Sequence, residues 1–195
     1  MGSRVVVIGG DAAGMTVASA VRRRLGEDDE VVVLERGTWT SYSACGIPYW
    51  VGGVVDDVDR LVARTPEQHR ANGIDLRMRS EAVALDLDRR EVEVRDHSAG
   101  RTYRLGFDDL VLATGARPRR PEVPGIDADG VHGVQTLDDG EALLDGLAGE
   151  LCTKQSAIVL QPMGGAVARD LHQTALLPAQ CGQSGRTHDM AAVAR

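Results

Sequence analysis

The stretch Arg4-Val5-Val6-Val7-Ile8-Gly9-Gly10-Asp11-Ala12-Ala13-Gly14-Met15 decides the fold. Its first half is a short β-branched run, the composition of a strand buried on both faces of a parallel sheet. Apolar residues then recur at helical spacing (Met15, Ala18, Val21, Leu25), which predicts a helix over residues 12–25 that stops at Gly26. Between strand and helix, Gly9 supplies a tight turn and Gly14 lets the helix pack closely on the sheet. The helix start then offers unpaired backbone N–H groups and a positive dipole end to a pyrophosphate. Asp11 stands where the G-x-G-x-x-G pattern has its second glycine.

A second buried strand is expected at Glu30–Leu34, joined to the first by a right-handed crossover. Glu35 closes it, 21 positions after Gly14, where a carboxylate accepts hydrogen bonds from a ribose and repels a 2′-phosphate. Turn, flanks and spacing therefore agree on a dinucleotide-binding α/β unit.

Composition narrows the partners of such a unit. The 195 residues carry 22 Lys+Arg against 29 Asp+Glu, a net charge of −7, so neither nucleic acid nor an anionic membrane surface is expected as a partner. Aromatic residues are 3%, too few for base-stacking platforms, while 43% hydrophobic residues supply a core. No apolar run reaches the roughly 18 residues of a membrane span, and no secretory signal is visible. Cys45, Cys152 and Cys181 are too scattered for a disulfide framework, so a reducing cytoplasm is the expected compartment. No metal site is assigned.

Farther along, Thr65-Pro66-Glu67-Gln68 has the cap, the first-turn proline and the closing glutamine of a helix start. Segments near 82–87, 91–95 and 102–105 have the period of an antiparallel meander, 109–113 reads as another buried strand, and 138–148 as a helix. Composition then breaks. Residues 151–195 hold six charges, include the only lysine (Lys154), no glutamate, and five of the seven glutamines. The expected organisation is a domain over 1–150 and an anomalous tail over 151–195, with 156–160 as a further strand.

The segment Ser41-Tyr42-Ser43-Ala44-Cys45-Gly46-Ile47-Pro48-Tyr49 follows the Glu35 strand. A helix starting near Cys45 would favour its thiolate, and Pro48 fits an early helical turn. In isolation this cysteine would read as a small buried residue; just after a dinucleotide-binding unit it reads as a redox centre.

The pairing of GGDAAGM with SYSACGIPYW, together with LVARTPEQHRANGIDLRMRSEAVALD and DDLVLATGARPRRPEVPGID, resembles the single-cysteine branch of the pyridine nucleotide–disulfide oxidoreductases. That branch includes CoA-disulfide reductase, CoA-dependent persulfide reductase, NADH oxidase and NADH peroxidase. The resemblance covers roughly residues 3–150 and implies a Rossmann-like FAD-binding domain with a parallel sheet and an antiparallel β-meander insertion. It implies that Gly9, Gly10, Ala13 and Gly14 cradle the FAD pyrophosphate, that Glu35, with Arg36 beside it, binds the adenosine ribose, and that the Val83 backbone lies near the adenine. It implies further that Thr114 and Gly115 run along the flavin's phosphate–ribitol side and that Cys45 is the redox centre. Ser41 stands near where dithiol members have their other cysteine, so the implied chemistry is a mixed disulfide or a sulfenic acid at Cys45. By the same analogy Ser41 contacts a thiol substrate, and Arg23 and Arg24 meet CoA phosphates; for the arginines a solvated helix face is the competing reading. NADH oxidases and peroxidases of this group carry a histidine in the glycine turn, and Asp11-Ala12 here shifts the resemblance towards the CoA-disulfide and persulfide reductases.

Full members are much longer, add a second dinucleotide domain for NAD(P)H, and are implied to be homodimers. The stretch Gln161-Pro162-Met163-Gly164-Gly165-Ala166 does not form the glycine turn that such a domain needs. The tail is therefore expected to be a degenerate or frame-disrupted start of that domain, with native sequence ending near Glu150. Three readings follow: an FAD-dependent reductase passing electrons from NAD(P)H through Cys45 to a CoA-type disulfide or persulfide, with an NADH oxidase-like flavoprotein as the neighbouring alternative; an FAD-binding fragment without turnover of its own; and a simple NAD-binding protein, against which the cysteine turn and the Ala113-Thr114-Gly115 segment argue.

Overall fold

The computed structural model describes residues 2–128, 131–150 and 157–160. Its centre is a four-stranded parallel sheet in the order β3-β2-β1-β7, with β1 at Arg4–Ile8, β2 at Glu30–Leu34, β3 at Asp75–Arg77 and β7 at Asp109–Leu112. Val5 to Ile8 of β1 register with Val31 to Leu34 of β2 on one side and with Asp109 to Leu112 of β7 on the other.

The valine runs are continuous because both faces of this sheet are covered, by different partners. Val5, Val7, Val31 and Val33 point to one face and pack with Met15 and Ala18 of α1 (Ala12–Arg22) and with Ile74 and Leu76. Val6, Ile8, Val32 and Leu34 point to the other and meet Val92, Val94 and Leu105. Those last three belong to an antiparallel meander of β4 (Ser80–Asp86), β5 (Glu91–Asp96) and β6 (Arg101–Gly106). Alternate residues of one strand thus enter two separate cores. Each fully buried Val or Leu contributes about 1.5–3 kcal/mol. Polar ties reinforce the seam between sheet and meander, where Arg77 binds Asp75 at 2.7 Å and the Tyr103 hydroxyl at 3.0 Å.

Helix α1 is shorter than the periodicity predicts. It ends at Arg22 because the Arg22 guanidinium turns back to the carbonyls of Gly26 and of Asp29, the latter at 2.6 Å, closing the helix–strand connection. The capping box at Thr65 is present and starts α3 (Pro66–Ala71), with Gln68 N–H donating to Thr65 Oγ1 and Thr65 N–H to Gln68 Oε1 at 2.9 Å. The meander, β7 and the helix α4 (Leu137–Glu150) lie where the sequence reading expects them. Among the described elements, the three-residue β3, β8 (Val131–Val134) and the 3₁₀ turn Val58–Leu61 escape that reading, all too short for a period to register. The 156–160 expectation meets β9 (Ala157–Leu160), which pairs with β8 in parallel. Cys152, Cys181 and the 161–166 stretch lie outside the described residues.

A third apolar cluster sits beyond the C-terminal ends of the central strands. Ile47, Leu61 and Leu137 form its buried heart, with Trp39, Tyr42, Trp50 and Val62 around them. It packs α2 (Ile47–Val51) against α4 and so anchors the segment that carries Cys45.

Candidate active site

The glycine turn leaves β1 at the C-terminal edge of the sheet. Gly9 adopts φ +108°, a region only glycine enters freely, and a Cβ there would collide with the carbonyl of Ala113. Gly14 is equally constrained, because a Cβ would run into the Gly9 carbonyl. The two glycines thus bring three backbone segments within contact: the turn, the first turn of α1, and the end of β7. Ala113 N–H donates to Ile8 O at 2.8 Å and carries Thr114 and Gly115, both exposed, alongside the glycine turn. Gly115 itself has φ +66°. Ala13 is exposed on the first turn of α1, so the helix N-terminus opens outward.

Glu35 faces this turn. Its Oε2 accepts from Gly10 N–H at 2.6 Å and its Oε1 from Gly37 N–H at 2.7 Å, so the carboxylate braces both turns. A carboxylate accepts about four hydrogen bonds, which leaves two for hydroxyls of a ligand. Arg36 beside it is exposed. Asp11 caps α1 without a side-chain cap bond; its Oδ1 is buried and has no partner, and burial pushes its carboxyl above the usual range. Tyr42 lies in the same field. Burial, followed by the charges of Asp11, Glu35, Asp138 and Asp139, pushes its hydroxyl up to about 12, so it stays a protonated donor. That acidic surround opposes a further phosphate near Glu35.

The cysteine segment is stitched to its surroundings residue by residue. The Thr40 hydroxyl, buried, donates to Gly10 O. Ser41 takes the left-handed φ of +50° and its carbonyl accepts from Ala63 N–H at 2.7 Å. Tyr42 bridges Val62, and Ser43 N–H donates to Leu61 O at 2.8 Å. Cys45, a free thiol, is exposed in the 3₁₀ turn Ala44–Gly46, which runs into the five-residue α2 with Pro48 in its first turn.

Of the residues singled out by sequence, the structure therefore gathers Gly9, Gly10, Ala13, Gly14, Glu35, Thr114 and Gly115 at one sheet edge, with the Ser41–Cys45 turn tied to that edge through Thr40. Val83 lies on β4, where the register against β5 shifts between Ala82 and Ala84 and leaves it without a partner, the signature of a bulge. Arg23 and Arg24 are exposed past the other end of α1, about 16 Å along the helix from its start, so a ligand touching both ends must be extended. Thr40 and His69 were missed. Both stand among polar neighbours (Thr38 and Ser41; Gln68 and Arg70), so nothing in the local sequence distinguishes a buried tie from a surface residue.

The profile of the pyridine nucleotide-disulphide oxidoreductases matches residues 3–160. The chain belongs to that family. The match runs ten residues past the composition break at Glu150 and includes β9. Among curated relatives, NADH oxidase of Methanocaldococcus jannaschii is 35% identical over 156 residues, covering 80% of this chain and 34% of that one. The NAD(P)H coenzyme A polysulfide/persulfide reductase of Pyrococcus horikoshii is 38% identical over 144 residues, covering 73% and 31%. Among solved structures, reduced Bacillus anthracis CoADR-RHD superposes with a TM-score of 0.72 at 31% identity, over 77% of this chain and 27% of that one. The chain spans about a third of the length of the curated relatives it matches. No helix among the described residues is long and apolar enough to cross a membrane.

Proposed function

We propose that residues 1–150 form the FAD-binding portion of an oxidoreductase that carries electrons from NAD(P)H, through FAD and Cys45, to a CoA-type disulfide or persulfide. One observation carries this reading: the glycine turn, Glu35, Thr114 and the cysteine turn converge on a single sheet edge, with Thr40 linking the two turns. Three features support the fit of a dinucleotide there. The two turn glycines leave no Cβ where a backbone approach is needed, the first turn of α1 is open at Ala13, and Glu35 keeps two acceptor sites after bracing the backbone. Bound FAD would supply a two-electron carrier between nicotinamide and sulfur.

The chain's own residues divide the remaining work. Ala13 and Gly14 offer backbone N–H groups and the dipole of α1 to a pyrophosphate. Gly9 and Gly10, whose own N–H groups are held by Leu34 O and Glu35 Oε2, shape the turn that cradles it. Glu35 takes ribose hydroxyls, with Arg36 beside it, the unpaired Val83 backbone meets the adenine edge, and Thr114 and Gly115 follow the phosphate–ribitol side. Cys45, exposed, attacks a disulfide sulfur and holds the product as a mixed disulfide. Ser41 contacts the thiol, and Arg23 and Arg24 take phosphates of an extended CoA-type ligand. The CoA-named relatives and the absence of histidine from the glycine turn favour this substrate over oxygen chemistry like that of the relatives named NADH oxidase. A homodimer is proposed for the whole protein.

The test is the visible absorption of the purified chain, with the released cofactor identified after reconstitution with FAD. A flavin band at near-stoichiometric occupancy is expected, with weak NAD(P)H consumption by these 195 residues alone. No flavin after reconstitution overturns the reading, and a released nicotinamide cofactor would replace it with a simple NAD-binding unit.

A further inference from the structure

Four residues before Cys45, Ser41 meets a side chain that the cysteine chemistry does not use. Its Oγ lies 2.9 Å from Nε2 of His69, one turn into α3. The imidazole is 2% exposed, and its Nδ1 is buried with no hydrogen-bond partner. Burial, followed by the charge of Arg64, holds it below the usual histidine range, so near neutral pH it carries one ring proton.

Two tautomers are open to it, and they differ in what they leave unmet. With the proton on Nδ1, a buried N–H donor would face nothing; with the proton on Nε2, only an acceptor lone pair is idle. Orphaned buried donors are the rarer and costlier defect. The proton therefore sits on Nε2 and is donated to Ser41 Oγ. An oxygen that accepts from histidine keeps its own proton for another acceptor. The φ of +50° and the carbonyl bond to Ala63 fix the Ser41 backbone where its side chain reaches His69.

We infer that His69 is a positioning residue that aims the Ser41 hydroxyl proton at a sulfur anion in the Cys45 turn, stabilising the thiolate expelled when Cys45 attacks a CoA-type disulfide. This rests on the redox reading of Cys45 given above. In that step the Cys45 thiolate forms a bond to one sulfur of the disulfide and the original S–S bond breaks. The second CoA leaves as a thiolate with the electron pair, and one disulfide replaces another with no net redox change. Ser41 hydrogen-bonds to the departing sulfur without transferring its proton.

Two measurements on the whole chain test this. Long-range ¹H–¹⁵N NMR at neutral pH, with His69 assigned by His69→Gln, is expected to show the Nε2–H tautomer; an Nδ1–H pattern overturns the proposal. Formation of the Cys45–CoA mixed disulfide from CoA disulfide, followed by peptide mass spectrometry, is expected to slow about tenfold in Ser41→Ala, the scale of one hydrogen bond to a charged atom. His69→Phe slows it equally, and His69→Gln, which keeps a donor, restores it. An unchanged rate in Ser41→Ala overturns the proposal even if His69→Phe fails to fold. A parent chain whose Cys45 forms no mixed disulfide overturns the redox reading itself.

Discussion

Thr40 and Gly10 join the two turns on which the site depends. The Thr40 side chain is 2% exposed, and its hydroxyl donates to the Gly10 carbonyl across thirty positions of sequence. That bond adds a direct tie between the two turns to the links through β1, β2 and Glu35 and between the Asp11 carboxyl and the Tyr42 backbone. With it, a shift of one turn is felt by the other.

Replacing Thr40 with valine keeps the shape and removes the donor, leaving the Gly10 carbonyl buried without it. A loss of about 1–3 kcal/mol in unfolding free energy is expected, with a weaker flavin complex. Urea unfolding and flavin titration of Thr40→Val beside Thr40→Ser, which keeps the bond, check this.

Glu35 accepts from two backbone N–H groups on different turns, Gly10 and Gly37. In Glu35→Gln one of those donors faces an amide NH₂ in place of an oxygen. Bonds to a charged acceptor contribute about 1.5–3 kcal/mol, so a drop of that order in stability is expected. Flavin affinity should fall with it. A variant that retains both would remove Glu35 from the site.

Much of this arrangement is legible in the sequence because it rests on steric necessity. A β-branched run, a glycine turn and a carboxylate at fixed spacing have few other structures open to them, and the register of β1 with β2 and β7 follows. The capping box at Thr65 is equally local, and the structure contains it. What stayed hidden depends on contacts between distant segments. Thr40 with Gly10 and Ser41 with His69 are pairs 30 and 28 positions apart, and neither has a periodic signature. The short end of α1 was missed for a related reason: Arg22 reads as one more helical residue until its guanidinium is seen to close the following loop.

Gly14→Ala tests that steric necessity directly. A single methyl would meet the Gly9 carbonyl, in a turn whose own Cβ position is closed by the Ala113 carbonyl of the third segment. No flexible side chain is available to yield, so α1 must move off the sheet. The expected outcome is loss of soluble folded protein or of flavin binding, read by circular dichroism and by absorption. An intact, flavin-binding variant would contradict the packing described.

Acid should weaken the fold first through His69. Its folded pKa lies below the unfolded value of about 6.5 because burial, then Arg64, disfavours the charged form. The unfolded chain takes up this proton earlier, so the contribution is complete above about pH 6.5 and is lost as pH falls towards the folded pKa. Urea midpoints at pH 7.5, 6.5 and 5.5 are expected to decline more steeply in the parent than in His69→Gln. Equal slopes would show that the imidazole titrates alike in both states.

Cys45→Ser separates cofactor binding from sulfur chemistry. The thiol is exposed, in a 3₁₀ turn held by Ile47 and Leu61, by the backbone bonds of Ser41 and Ser43 just before it, and by the Gly46 N–H bond to Ser43 O that closes it. None of those contacts uses the sulfur, so an oxygen in its position should leave the turn intact. Stability is expected to stay within about 0.5 kcal/mol of the parent, as for surface substitutions generally, and flavin binding should be unchanged. Mixed-disulfide formation with CoA at this position should vanish, because a serine hydroxyl is not ionised near neutral pH and does not attack a disulfide. Loss of flavin in this variant would mean that Cys45 supports the cofactor site structurally. A residual mixed disulfide would have to be mapped to Cys152 or Cys181, and would move the redox centre out of the cysteine turn.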